Sequence, residues 1–299
     1  MKKVILVILV IVPALIFLSA CQKDDKEKAG RVVLSLTDSP IDNEDVKGVF
    51  ITFTRIDFQM DGKWQTFDEF DEPQTINLLE LTNGNTVLLG DFNSGAGTYS
   101  ELRFIIDAPE MNAAPISNPG CYLLFEDDTT QPLFIPGGAQ TGFKAKGSFD
   151  VPENGTVHVT ADFDVRKSVV VAGASGKYLL KPTIRIIVND EAGTIQGNIT
   201  GTAAFDNVIL YAYEHGEYDE SEASEPAEGE SRFPNAVSSS AAANGSFVLP
   251  FLAAGNYDIV AGVYVAGGFV SALMLAENVE VIAGQTTTLN LVLDLELPL

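Results

Sequence analysis

Alternation with a period of two is the feature that most limits how this chain can fold. In Val157-His158-Val159-Thr160-Ala161-Asp162-Phe163-Asp164 the apolar residues take every odd position and the polar ones every even position. Successive side chains of a strand point to opposite faces, so this stretch predicts a strand with its odd positions in a core. His158, Thr160 and Asp162 then share the opposite face. The same period recurs in Val32–Thr37, in Leu102, Phe104 and Ile106, and in Ile195–Thr200. No long segment carries a helical period, which predicts an all-β protein.

Departures from strict alternation are informative too. Val49, Ile51 and Phe53 fall on one face and Ile56 and Phe58 on the other, which predicts a bulge at Thr54-Arg55. Met60-Asp61-Gly62-Lys63 followed by Trp64-Gln65-Thr66-Phe67 is a hairpin signal. Ile76–Leu81 fits a strand end or a brief helical turn. Further strands are expected at 87–89, 121–125, 131–135, 143–149 and 178–188. Asn189-Asp190-Glu191-Ala192-Gly193 is a turn-rich boundary, and Val208–Tyr213 beyond it is apolar on both faces. Residues 214–243 then form a long insertion before the next strands, and Leu289, Leu291, Leu293 and Leu295 line one face near the end. Two β-sandwiches in tandem are expected, over residues 31–190 and 193–299.

The first thirty residues carry an address. Lys2 and Lys3 precede an apolar run, Val4–Leu18, that falls short of the about 20 residues a membrane span needs. This is the layout of a secretory signal over residues 1–20. Leu18-Ser19-Ala20-Cys21 resembles the lipobox of bacterial lipoproteins, which implies acylation of the Cys21 thiol and a membrane anchor there. Each buried CH₂ of an acyl chain contributes about 0.8 kcal/mol, so two or three chains hold firmly. Residues 21–30 form a charged, disordered tether whose Lys23-Asp24-Asp25 resembles the export signal of Bacteroidota lipoproteins. Outer-membrane anchoring with cell-surface exposure is the expectation, a periplasm-facing anchor the alternative.

Charge narrows the partners. The chain holds 41 Asp plus Glu against 18 Lys plus Arg, a net charge of −23. Such a surface repels nucleic acid and anionic lipid headgroups. With Cys21 acylated, Cys121 has no cysteine to pair with and is expected to pack as a small apolar group.

Two longer resemblances follow. Leu34-Ser35-Leu36-Thr37-Asp38-Ser39-Pro40, Ile76-Asn77-Leu78-Leu79, Gly97–Arg103, Asp162-Phe163-Asp164 and Leu180-Lys181-Pro182 resemble the DUF4382 domain of bacterial lipoproteins. That family implies a β-rich exported module and transfers no catalytic residue. Asn244–Pro250, Leu252–Ala261 and Ala283–Leu291 resemble carboxypeptidase regulatory-like domains, which are transthyretin-like sandwiches.

Candidate chemistry is sparse. Glu214–Glu230 holds eight acids, and Glu217, Asp219 and Glu220 are the candidate ligands for weak calcium binding, set against a mobile acidic loop. No other cofactor is implied. Asp38, Asp42, Glu44 and Asp45 form a second acidic group, where turn chemistry accounts for Asp38, and Asp68, Glu69, Asp71 and Glu72 form a third. Trp64 is the candidate for glycan stacking, set against a core anchor. Asp162 and Asp164 are spaced for a carboxylate pair or for pairing with a basic residue on a neighbouring strand. No nucleophile elbow, zinc motif or phosphate loop appears. The expected role is a non-catalytic, surface-anchored lipoprotein for binding, adhesion or envelope assembly, with a glycan or a surface protein as partner. The alternatives are a fimbrillin-like structural subunit or anchor, and a glycan-acting hydrolase.

Overall fold

The computed structural model describes residues 29–40, 45–109, 120–136, 142–227, 229–242 and 244–295. Cys21 and the charged segment around it lie outside these residues, as do Asp42 and Glu44. The chain folds as two all-β units in tandem.

The first unit runs through β1 (Ala29–Asp38), β2 (Val46–Met60), β3 (Lys63–Asn77), β4 (Val87–Gly95), β5 (Gly97–Ile106), β6 (Tyr122–Phe125) and β7 (Thr130–Phe134). It continues through β8 (Phe143–Ala145), β9 (Phe149–Val151), β10 (Thr156–Phe163), a single helical turn α1 (Val165–Ser168), β11 (Val169–Ala172), β12 (Lys177–Leu180) and β13 (Ile184–Val188). A four-stranded sheet ordered β13-β10-β1-β4 packs on a nine-stranded sheet centred on β2. β1 and β10 are parallel, with Asp38 opposite Phe163.

Alternation sets the core as expected. Val157, Val159, Ala161 and Phe163 are buried, and Phe53 meets Phe163 edge-on at 6.4 Å and Phe104 at 6.0 Å. The β2–β3 register slips between Phe53 and Arg55, so Val49, Ile51, Phe53, Ile56 and Phe58 all reach one core. Asp61 and Gly62 both adopt positive φ at the hairpin tip, the twist that matches two right-twisted strands. Of the two options for Ile76–Leu81, both are used: β3 ends at Asn77 and Leu78–Leu81 is a 3₁₀ turn capped by the Asn77 side chain.

Two expected strands are each divided. Residues 143–149 break into β8 and β9 around Gly147, whose φ of +123° suits glycine. Residues 178–188 break at Lys181-Pro182-Thr183, because Pro182 has no N–H to give a ladder. β12 then joins the larger sheet and β13 the smaller.

The second unit holds β14 (Ala192–Thr200), β15 (Asn207–Glu214), β16 (Ser238–Ala241), β17 (Ser246–Ala253), β18 (Gly255–Val265), β19 (Gly268–Val281) and β20 (Thr286–Val292). Sheets ordered β17-β14-β20 and β16-β15-β18-β19 enclose Ile195, Leu210, Leu249, Ile259 and Leu291. Only the 3₁₀ turn Asn189–Glu191 separates this unit from β13.

Candidate interaction surfaces at the domain junction

Three of the motifs that resemble DUF4382 are far apart in sequence and converge at one end of the first sandwich. Asp38, at the end of β1, is buried and accepts the Val165 N–H at 3.0 Å across 127 residues. Asp38 also takes a backbone hydrogen bond from Ser39, so it joins the local turn after β1 to a long-range cap on α1. Asp164 is the N-cap of α1 and accepts from Lys167 N at 3.2 Å. Lys181 N and Thr183 N donate to the Ser168 carbonyl and hydroxyl at 2.7 and 2.9 Å. Thr37 completes the group by donating to the carbonyls of Leu81 and Asn85.

This scaffold presents two cations to the second unit. Arg166 is 4% exposed and donates from Nη1 to the carbonyls of Arg232 and Phe233 at 2.6 and 2.8 Å. Lys167 Nζ donates to the Ala236 carbonyl at 2.6 Å, and burial pulls its pKa down. A second bridge joins Ser240 Oγ to Asn83 Oδ1 at 2.9 Å. Between the units lies a cleft of about 740 Å³ bordered by Val46, Leu123, Arg166, Tyr178, Arg232 and Phe269.

The insertion 214–243 makes the other half of the junction. β15 is apolar on both faces for a reason the structure supplies. Val208, Leu210 and Ala212 enter the sandwich core, while Ile209, Tyr211 and Tyr213 are covered by the insertion. Phe233 is fully buried against Tyr211 at 4.4 Å and Phe269 at 5.8 Å. Tyr213 donates to Glu222 at 3.0 Å, and burial and the Glu222 carboxylate both hold its hydroxyl protonated. Glu222 also accepts from the Asn235 side chain at 2.8 Å. At the start of the insertion, Asp258 accepts from Gly216 N and Asn278 N and lies 2.7 Å from His215 Nδ1. Burial alone would raise the Asp258 pKa, but these hydrogen bonds outweigh it and hold the carboxylate below its usual range. The insertion is therefore anchored over β15 by Tyr218, Phe233 and Ala236, while Glu214, Glu217, Asp219, Glu220 and Glu225 stay exposed.

The buried acids respond to pH. Burial raises Asp38 well above the ordinary carboxylate value, more than its hydrogen bond from Val165 lowers it, and nearby Asp162 and Asp164 push the same way. Asp162 is raised by burial against the opposing pull of Arg185, its partner at 2.8 Å on β13. The unfolded carboxyl titrates at about 3.9. Between that value and the raised native one, the folded state binds the additional proton, so stability falls as pH rises through this window. Asp38→Asn keeps the acceptor oxygen for Val165. It is expected to flatten the decline in melting temperature between acidic and neutral pH; an unchanged slope in thermal melts would assign the pH response elsewhere.

The remaining candidate residues are placed as follows. Trp64 is half-buried outside the core, with the Arg103 guanidinium 4.1 Å and Lys144 Nζ 5.5 Å from its ring centre. Arg103 in turn pairs with Asp57 at 2.7 Å, and Lys144 with Glu101 at 2.8 Å. Asp219 caps a 3₁₀ turn at Glu220–Ala223 by accepting from Ser221 N at 2.8 Å, and Glu217 and Glu220 are exposed nearby. Among the described residues no group of three or more His, Cys, Asp or Glu is arranged to hold a metal ion. Cys121 packs in the core, donates to the Asp107 carbonyl at 3.1 Å and has its pKa pushed up to about 12 by burial. Asp162 and Asp164 point to different partners, Arg185 and α1, so they form no carboxylate pair across a cleft.

Sequence reading did not single out Arg166, Lys167 or Phe233. The double-sided apolar character of Val208–Tyr213 was the signal that something must cover the second face.

The fold and junction define a class: a tandem β-sandwich protein whose second unit is clasped to the first by an insertion. Residues 29–182 match the family described as Domain of unknown function (DUF4382). This is more than half of the chain, and the chain belongs to that family. The match stops two residues before β13, the strand that completes the smaller sheet. No curated protein matches the chain. Among solved structures, the major pilin subunit BcpA of Bacillus cereus is 11% identical, with 88% of this chain and 69% of that one covered and a TM-score of 0.22. The shaft pilin SpaA of Lactobacillus rhamnosus GG is 10% identical over 90% of this chain and 100% of that one, with a TM-score of 0.23. A fimbrial protein of Bacteroides ovatus is 10% identical over 88% of this chain and 48% of that one, with a TM-score of 0.20. No helix among the described residues is long and apolar enough to cross a membrane.

Proposed function

We propose that this protein is a non-catalytic, surface-tethered structural and interaction subunit whose two sandwiches act as one stiff body. The observation that carries this is the double donation of buried Arg166 to the Arg232 and Phe233 carbonyls. Loosely tethered domains share polar, wet contacts, whereas a buried cation satisfied by the partner domain's backbone couples the two units directly. A stiff pair suits load-bearing or assembly at a cell surface better than it suits an enzyme that opens and closes. The seven-stranded second unit fits a carboxypeptidase regulatory-like sandwich in the supporting role. Acylation of Cys21 would anchor the subunit to the outer membrane, with β1 beginning eight residues later at Ala29.

The test is made in cells and in solution. Cys21→Ala is expected to abolish labelling by a fatty-acid probe and to release the protein from the membrane fraction, while added protease reaches the native protein on intact cells. Unchanged labelling would remove the anchor from the account. In solution, the protein is expected to turn over no polysaccharide; turnover lost on a single carboxylate substitution would establish a hydrolase instead.

A glycan-binding role has one observation in its favour: Trp64 lies outside the core with Arg103 and Lys144 at its ring, and Lys144 in turn pairs with Glu101. Trp64→Ala is expected to weaken binding to a polysaccharide panel at least tenfold without changing the melt. A parallel arm with chelator tests calcium at Glu217, Asp219 and Glu220. Unfolding of Trp64→Ala, or equal binding, would assign the ring to structure alone.

A further inference from the structure

The edges of the sheets differ in how they are guarded. Among the described strands β3 bonds only to β2, and along its length it carries Asp68, Glu69, Asp71, Glu72 and Pro73. Charges and proline on an edge oppose pairing with another chain, which accounts for this acidic group. β19 is also an edge, pairing with β18 alone among the described strands. Yet from Gly268 to Ala276 it holds neither a charge nor a proline: Gly-Phe-Val-Ser-Ala-Leu-Met-Leu-Ala. Its register against β18 slips at Val270 and at Leu275, and neither charge nor proline guards the outer backbone groups between these two bulges.

A groove of about 740 Å³ runs beside that edge, between Val270, Met274 and Glu277 of β19 and Tyr218, Glu220 and Ala223 of the insertion. Val270 is 41% exposed there. The insertion thus forms one wall of a trough whose other wall is an open strand.

We infer that β19 accepts an extended strand from a partner protein, one that alternates apolar residues with Lys or Arg. An added strand takes its affinity from main-chain hydrogen bonds and its specificity from alternate side chains. Here the alternate side chains facing the groove meet Phe269, Val270 and Met274 in a lining that also holds Ser224 and Ser271, and the groove's charged lining residues are both acids, Glu220 and Glu277. Charge also decides against a second copy of this chain. Its net charge is −23, and its own terminal alternating stretch places Asp294 between Leu293 and Leu295. A basic-apolar strand is complementary where an acidic one is repelled. The inference rests on the interaction-subunit reading and names that subunit's docking edge. Its test does not involve the junction, so the two fail separately.

Two nine-residue peptides serve as probes, one alternating valine with lysine and one alternating valine with glutamate, titrated against the purified full chain by fluorescence anisotropy. The lysine peptide is expected to bind saturably and to slow amide exchange across 268–276. The double variant Glu220→Lys with Glu277→Lys, altered only at exposed positions, is expected to weaken the lysine peptide at least tenfold and to gain affinity for the glutamate peptide. Val270→Lys tests the edge independently and is expected to weaken the lysine peptide similarly. Equal binding of both peptides, no saturable binding by folded protein, or binding without protection of 268–276 would each overturn the inference. Self-association that protects the same amides would overturn the choice of occupant.

Discussion

Phe233→Ala is expected to destabilise the second sandwich by about 3–5 kcal/mol, the range for deleting a fully buried aromatic ring. The ring is 0% exposed and fills the space between Tyr211 and Phe269. Without it, Tyr211 and Ile209 lose part of their cover and the insertion loses its apolar anchor. The effect should exceed that of any single acid-to-amide change in the insertion, because exposed charges there contribute little. Urea unfolding followed by circular dichroism measures it. A loss under about 1 kcal/mol would mean that the insertion packs too loosely to bear on stability.

Arg166→Met is the second large effect, and it acts on coupling. The substitution keeps an apolar stem but leaves the Arg232 and Phe233 carbonyls without this donor, at about 1–3 kcal/mol for each buried acceptor. It also removes one of the two cations beside Asp164. Trp64 is the sole tryptophan and lies in the first sandwich, so its fluorescence reports that unit alone. In Arg166→Met the Trp64 transition is expected to separate from the circular dichroism transition of the whole chain. Arg166→Lys, which has a single ammonium in place of the planar fork, is expected to fall between the two. Coincident transitions in Arg166→Met would show that the units are coupled by something other than this side chain.

Much of the fold was legible because it is local. The alternation at 157–164, the face switch at Thr54-Arg55 and the Asp61-Gly62 tip each act within a few residues, and each appears where its physics requires. The junction was not legible, for two reasons. Asp38 meets Val165 across 127 residues, and no local pattern encodes such a contact. The outward face of β10 is covered as well: Thr160 and Asp162 are buried although alternation placed them opposite the core. In the insertion, eight acids within Glu214–Glu230 hid the few residues that hold it down, Tyr218, Phe233 and Ala236. Composition describes the exposed part of a segment, while anchoring depends on a minority of side chains. Arg166-Lys167 directly after a strand looks like a solvated pair, and only the second unit's carbonyls give it work.

Calorimetry of the unsubstituted protein tests the central claim most directly, that the Arg166 clasp and the insertion make two sandwiches one body. A single transition is expected, with calorimetric and van't Hoff enthalpies equal for the whole chain. Two resolved transitions, each with the enthalpy of one sandwich, would contradict it.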